Sequence, residues 1–542
     1  MSNALRRLTC AAACALLAAA CSAPPPLHGE GGRNPWTRAG TVRYGSGYEP
    51  DSLNPLLANT QAANDIAYVV FEPIFRYDAN GNFVPAAVTE VPTARNGGIS
   101  PDGKRIVLHF RKGMHWSDGA AYDARDLVFT WHAVMNPRNN TRLQSGWDAI
   151  VSMQLRDVDT VVIRLKAVNV GILGSFAVGG AGYPPLPAHL LASLPDLNTA
   201  AFNSRPISSG PFVLTAWNHG SSLEFAPNPY YWRGKPGLQR LSYVIVPNTD
   251  TLLSQLRTHE VDVYESVGEN QIPQLASIAG ITVTKTLTAN WRRLAFNLAK
   301  PQFADRRVRQ AIAEAVDWDR MNQTTFHGYN LRAVSDIVPT SWAAPHIAAY
   351  PYDPADAARL LDAAGWRAGP GGMRTKAGLP LTFSVSTTNA KPSNVQAEVQ
   401  MQQDLRTAGI GVTIKNYPGS LLFARDGPIY RGTYDTEFTI ETNGPDPDNE
   451  GMWSGAFIPP HGTNTSWFDD PIVNRTSHAA TLTFDRAQRR MLYAQEEARI
   501  HALVPAVFFY WQNSYAGVNS DLHGWKPATY ISSFWNCWQW ST

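Results

Sequence analysis

The segment Thr442-Asn443-Gly444-Pro445-Asp446-Pro447-Asp448-Asn449 gathers five hydrogen-bonding side chains in one short stretch. It carries two carboxylates, two amides and a hydroxyl among residues that break helices. Such a loop has two uses. It can pair a ligand cation in a desolvated place, where a bare charge costs several kcal/mol. It can also turn the chain ahead of Trp453, with Asp446 and Asp448 as turn formers, and the sequence leaves both open. Asn443 brings an amide, which accepts a hydrogen bond but cannot neutralise a charge.

A different chemistry is written at the N-terminus. Arg6 and Arg7 precede an apolar run from Leu8 to Ala20, too short to span a bilayer comfortably, and then Cys21. Ala18-Ala19-Ala20-Cys21 has the form of a lipidation signal, although Leu17 sits one place early for it. The expectation is a signal peptide over 1–20 and a lipidated Cys21 anchoring the chain to a membrane. Residues 21–39, with Pro24-Pro25-Pro26 and glycines up to Arg33, then form a disordered tether. An ordinary signal peptide cut elsewhere is the plainer alternative.

Other chemistries find no support. The chain has four cysteines, three of them within the first 21 residues, so the body has neither a disulfide scaffold nor a cysteine-based zinc site. The 13 histidines are scattered without metal-ligand spacing, and no metal or cofactor is expected. GxSxG, HExxH and phosphate-loop motifs are absent, so no enzyme is expected; a secreted hydrolase stays as an alternative because glycosidase carboxylates leave no motif. A formal net charge of +2 gives no nucleic-acid footprint.

At 542 residues the chain exceeds one hydrophobic core, and 44% hydrophobic against 17% charged residues marks a globular body. Strand patterns at 41–44, 105–111, 160–165, 211–214, 223–225, 241–246, 381–385 and 411–415 alternate with helix patterns at 65–75, 123–134, 249–257, 306–316, 354–364 and 395–408. Asp123 is placed as a helix N-cap, and Gly365 and Gly409 as helix stops. Asn80-Gly81 marks a tight turn. Interleaving of this kind predicts α/β layers.

Several segments, in order, resemble the large extracytoplasmic solute-binding proteins that include dipeptide, oligopeptide and nickel receptors. They are Asp51-Ser52-Leu53-Asn54-Pro55 with Phe71-Glu72-Pro73-Ile74, and Phe110 to Gly119 with Tyr122 to Phe129. Ser209-Gly210-Pro211-Phe212 with Asn228 to Trp232 follows, then Phe296-Asn297 with Asp305 to Ile312, and Tyr434-Asp435 with Asp446-Pro447-Asp448. The resemblance implies a two-lobed, periplasmic-binding-protein-like clamp with one additional α/β domain, three domains in all. It places the first lobe at 40–72, 205–290 and 508–542, the extra domain at 73–204 and the second lobe at 291–507.

The implied role is the substrate-binding component of an ABC importer. It would capture peptides or a similar small solute outside the cytoplasmic membrane and pass it to permease and ATPase subunits by hinge closure, as a monomer. Oligosaccharide, opine and metal-chelate ligands are the alternatives within this fold. In the peptide receptors an Asp of the 442–449 loop pairs with the ligand's α-ammonium; here that position is Asn443, with Asp446 a possible substitute and Thr442 and Gly444 beside it. Trp291 at the lobe crossing, Tyr510 in the apolar run 508–511, and Thr60 and Asn64 near the first lobe's polar loop are the further ligand candidates. Trp116-Ser117-Asp118-Gly119 and Asp305 to Arg309 are expected to serve the fold.

Overall fold

The computed structural model describes residues 32–178, 182–389 and 391–542. The expected signal peptide, Cys21 and the start of the tether lie outside the described residues. One mixed sheet organises the molecule. Its strands are β1 (Thr41–Ser46), β2 (Phe212–Asn218), β3 (Ser222–Pro227), β4 (Arg240–Ile245), β5 (Val263–Tyr264), β6 (Ile281–Phe296), β7 (Thr382–Ser386), β8 (Gly411–Ile414), β9 (Thr436–Thr442) and β10 (Ala506–Asn519). Their spatial order is β8-β7-β9-β6-β10-β5-β1-β4-β3-β2, with Leu331–Arg332 as a short extra strand against β10. β1 runs parallel to both β4 and β5, and β7 parallel to both β8 and β9. The central strands β1 and β7 read as buried runs, as strands covered on both faces do, while the edge strand β8 is only partly buried.

Two strands far longer than the usual five or six residues join the groups. β6 has 16 residues and β10 has 14. Their first stretch of pairing, Ile281–Leu287 with Asn513–Asn519, lies beside β5; their second, Trp291–Ala295 with Ala506–Trp511, lies beside β9. Between the stretches, residues 288–290 stand opposite Gln512 alone. An irregularity of this kind unpairs the ladder and bends the strand. Hydrophobic side chains gather on either side of it. One core takes Val42, Trp116, Tyr243 and Trp540, from segments spanning 42–245 and 516–540. The other takes Leu294, Phe383 and Phe509 and adjoins a cluster around Trp291, Trp453 and Phe508. This is a two-lobed clamp.

Local signals explain the helices. α1 (Gln61–Val70) is capped by Thr60, whose hydroxyl accepts from the Ala63 N–H at 3.3 Å. It begins and ends earlier than the 65–75 pattern suggested. Its C-terminus is closed by Ser208, which donates to the Val70 carbonyl at 2.6 Å, and Phe75–Tyr77 is a strand paired with Phe83–Pro85. A Cβ at Gly210 would lie 2.7 Å from the Val70 backbone, so glycine is required at this close approach. α2 (Ala124–Met135) opens on a capping box made by Asp123 and Asp126. α3 (Arg306–Ala315) is capped by Asp305 and buries Val308, Ala311, Ile312 and Ala315 on one face. α4 (Pro471–Thr481) and α5 (Arg486–Leu503) are capped by Asp470 and Asp485. No helix among the described residues is long and apolar enough to cross a membrane.

The sequence motifs interlock in the first core. The fully buried Glu72 accepts from Arg76 at 2.6 Å, from the Trp232 indole at 2.9 Å and from the Tyr231 hydroxyl at 3.3 Å. Phe71-Glu72-Pro73-Ile74 and Asn228 to Trp232 are thus two halves of one polar knot. Trp116 donates to Asp126 at 3.0 Å, and the Ser117 N–H donates to the Ser208 carbonyl. Both motifs serve packing. Glu72→Ala leaves Arg76, itself 1% exposed, without its charge partner. It is expected to lower stability by about 3–5 kcal/mol, read by urea unfolding, whereas Glu72→Leu with Arg76→Met recovers most of the loss. A loss below 1 kcal/mol would show the knot to be unimportant.

Candidate ligand-binding site

A cavity of about 860 Å³ lies between the two bodies, within the range of small-molecule sites. Tyr77, Phe83 and Arg95 line one wall; Trp342, Asp446 and Arg489 line the other. The wall residues come from sequence-distant strand ends, turns and a helix start, a placement that allows the cavity to open when the bodies part.

The 442–449 loop is fastened at the crossing. The Asn443 N–H donates to the Ala289 carbonyl at 3.1 Å, and the Thr442 hydroxyl donates to Asn290 Oδ1 at 2.7 Å. Asn443 Oδ1 accepts from the Trp291 indole at 3.0 Å, while its Nδ2 donates to the Asp336 carbonyl. Both ends of this amide are therefore occupied. Asp446 faces Arg489 in a two-pronged ion pair, 2.8 and 2.5 Å. Burial works against the Arg489 charge, but Asp446 and the Tyr493 hydroxyl, which accepts from Arg489 Nη2 at 3.0 Å, outweigh it and hold its pKa above the ordinary guanidinium value. Gly444 is exposed, and a Cβ there would meet nothing within 4 Å.

The other expected ligand contacts are placed as follows. Trp291 is 0% exposed and Tyr510 is 2% exposed, so neither ring is open to solvent. Trp291 reaches the loop only through Asn443. Tyr510 accepts from Arg292 Nε at 3.0 Å, and Arg292 also lies over the Phe438 ring at 4.7 Å. Thr60 spends its hydroxyl on the α1 cap and on Asp51 at 3.1 Å. Asn64 is half-buried one turn into α1.

Two acids that the sequence reading passed over stand out instead. Asp65, on α1, is half-buried, yet the surrounding protein pushes its carboxyl up to about 7; hydrogen bonds from Ser532 and Gln61 oppose the shift, and nearby Glu265 adds to it. Glu265 follows β5 directly. It accepts from Tyr44 at 2.8 Å and from Ser533 at 2.5 Å, and burial raises its pKa. Glu265 lies just beyond the carboxyl end of the parallel strand β5, a place where open α/β sheets bind ligands, and its charge reaches Asp65. The sequence offered only an acid in a helix and an acid after a short strand, 200 residues apart.

Behind the loop, Asp336, Glu496 and Glu497 are at most 1% exposed. Asp336 accepts from Trp453 at 3.0 Å and from Asn449 at 3.2 Å, and Asn449 also donates to Glu497 at 3.1 Å. Glu496 has no hydrogen-bond partner on either oxygen among the described residues. Burial first, then Asp336, drives both glutamates well above the usual carboxylate range. No group of three or more His, Cys, Asp or Glu among the described residues is arranged to hold a metal ion.

Comparison with known proteins agrees with this architecture. Residues 82–461 match the family described as bacterial extracellular solute-binding proteins, family 5 middle, and the chain belongs to that family. It is 29% identical over 416 residues to protein XP55 of Streptomyces lividans, covering 76% of this chain and 72% of that protein. It is 24% identical over 496 residues to the oligopeptide-binding protein AppA of Bacillus subtilis, covering 90% and 89%. Among solved structures, NikA of Brucella suis in complex with Fe(III)-EDTA aligns with a TM-score of 0.80 at 22% identity, over 92% of this chain and 99% of that one.

The glutamates give a signed pH expectation. A carboxyl raised in the folded state contributes stability fully below its ordinary pKa of 4.5 and loses it as pH rises toward the folded value. At pH 7.5 Glu496 is therefore a liability that a neutral amide lacks. Glu496→Gln is expected to raise unfolding stability at pH 7.5 by at least ~1 kcal/mol, since each pKa unit is worth about 1.4 kcal/mol. The gain should vanish by pH 4.5. A pH-independent difference in urea midpoint would contradict it.

Proposed function

We propose that the chain is the solute-capturing subunit of an ABC importer and that it closes around an amine-bearing solute, a short peptide in the first instance. The observation that carries the reading is one sheet threading two cores through β6 and β10, with a ligand-sized cavity between the bodies. A clamp of this kind gains affinity from contacts made only when it is shut. It delivers its solute unaltered. We infer the lobe boundaries given by the resemblance, and permease and ATPase subunits as partners. Lipidated Cys21 would keep the receptor at the membrane, in which case Cys21→Ser shifts it from the membrane fraction to the soluble fraction. Unchanged fractionation would exclude the anchor.

The peptide reading has support from the relative named for oligopeptides, and the metal-chelate reading from the structural neighbour holding Fe(III)-EDTA. The charge arrangement favours an amine. Asn443 carries no charge and Asp446 is already matched by Arg489; we assign the ligand cation to Asp65 and Glu265, which lie apart from the residues lining the cavity. A bound ammonium would restore the ionised form that burial disfavours at both.

Native mass spectrometry of the mature chain is expected to show co-purified peptides. A chelate mass or a single sugar ladder would overturn the ligand class. With Asp65 at about 7, binding of trialanine is expected to tighten as pH rises from 5.5 to 8, because the free acid must release its proton to meet the ammonium. Asp65→Asn should weaken binding about tenfold at pH 8 and flatten that dependence. Identical calorimetric titrations of wild type and variant would remove Asp65 from the site.

A further inference from the structure

Along the wall of the same cavity, away from Asp65 and Glu265, one seam ties the two bodies together by side chains that the solute reading does not use. Phe484 lies in the short connection between α4 and α5, helices whose Val473 and Ile500 belong to the second body. Its ring nevertheless packs against the core of the first body. A Cβ at Gly103 would lie 3.6 Å from Phe484 Cε2 and 3.0 Å from Val168 Cγ2, so the ring sits under the Gly103 turn. Two residues on, Arg486 Nη2 donates to Asn82 Oδ1 at 2.9 Å. Asn82 is oriented for this contact. Its own N–H and Nδ2 donate to Asp78 at 2.8 and 3.2 Å, which leaves Oδ1 facing outward. Alongside, a Cβ at Gly81 would lie 3.4 Å from Pro445, so the turn and the 442–449 loop approach without room between them.

The same seam is wired to the loop. Arg486 lies over the Trp342 ring at 4.7 Å and Arg489 at 5.4 Å, and Arg489 holds Asp446. A displacement of the 445–446 segment is thereby passed to the first turn of α5. We propose that Phe484 and Arg486 form a latch: an aromatic plug and a polar hook on the second body that dock on the Asn82 and Gly103 turns of the first, and stabilise the shut clamp independently of solute contact. The proposal rests on the clamp reading of the fold. A latch of this kind raises the population of the binding-competent arrangement, in the stripped chain as in the loaded one, and so raises apparent affinity by the same factor. The plug is one aromatic ring and the hook a single exposed hydrogen bond. This keeps the latch weak enough to be released when the lobes are pulled apart for delivery.

The test compares the mature wild type with Phe484→Ala, Arg486→Ala and their combination; Met491→Ala, 61% exposed on α5, is the control. Small-angle X-ray scattering is recorded on each chain as purified, after removal of bound solute, and with trialanine or nickel–histidine added. Thermal unfolding checks that every variant is folded. The expected result is that wherever the wild type scatters as a closed particle, the double variant scatters as a more open one. The apparent affinity for whichever probe binds should fall at least tenfold through faster release, and Met491→Ala should match wild type.

Identical scattering of wild type and double variant, with affinities within twofold, would overturn the latch while leaving the receptor reading intact. A wild type that scatters as an open particle in every condition would overturn both. If neither probe binds, the comparison of the purified chains decides the latch alone. A variant that loses its cooperative unfolding transition would show that Phe484 belongs to a folding core and would likewise overturn the proposal.

Discussion

The structure depends on the pairing of β6 with β10. Every other strand of the main sheet belongs to one side or the other, and these two belong to both. Strand pairing is held within each stretch by its backbone hydrogen bonds, with the second stretch of β6 buried and the first partly exposed. At residues 288–290 the ladder is broken, and the chain there bonds to the 442–443 loop and, through Thr288, to the Gln512 carbonyl at 2.8 Å. A second, smaller register shift follows between Arg292 and Arg293, so a bend is absorbed over residues 288–293, and the loop fastened there moves with it. Rigid halves with one compliant crossing are what a clamp needs, because small rotations at a crossing become large displacements at the rim.

The charged and amide side chains that hold the 442–449 loop and the strands beside the crossing are paired with one another. Arg292 holds Tyr510, and Arg293 holds Glu437 at 2.9 Å and Glu441 at 2.8 Å. Arg489 holds Asp446, and Asn443 bridges Trp291 to the Asp336 carbonyl. These pairs fix the 442–449 loop against the second core, so its charges serve shape. The charge proposed for a solute lies elsewhere, at Asp65 and Glu265 on the first body. This division explains how position 443 can be an amide: it anchors the loop, and a carboxylate there would lose the donor that meets the Asp336 carbonyl and would face the buried Asp336, Glu496 and Glu497 group.

Much of the fold was legible because its signals are local. Asp123 and Asp305 cap the helices assigned to them, and Gly365, at φ 86°, follows the end of the helix Pro354–Ala363. The four-residue displacement of α1 came from weighing its apolar face above the Thr60 cap and the serines at 208–209 that close its end. β6 escaped notice because its first half, Ile281-Thr282-Val283-Thr284-Lys285-Thr286-Leu287, is polar and partly exposed and reads as loop. α5 escaped because its buried face carries Arg489, Glu496 and Glu497, where hydrophobic periodicity looks for aliphatic residues. The site was less legible than the fold. Asp446 and Arg489 are 43 residues apart and Asp65 and Glu265 are 200 apart, and pairings at such distances have no local signature.

The central claim is that a solute is held by both bodies at once and draws them together about residues 288–293. Hydrogen–deuterium exchange of the chain carrying its co-purified solute, against the same chain stripped by unfolding, dialysis and refolding, addresses it directly. The account predicts slower exchange, in the loaded chain, of segments 61–83 and 442–449 together, with the interior of β7 and β1 unchanged. Protection confined to one of those two segments, or exchange identical in loaded and stripped chains, would contradict it.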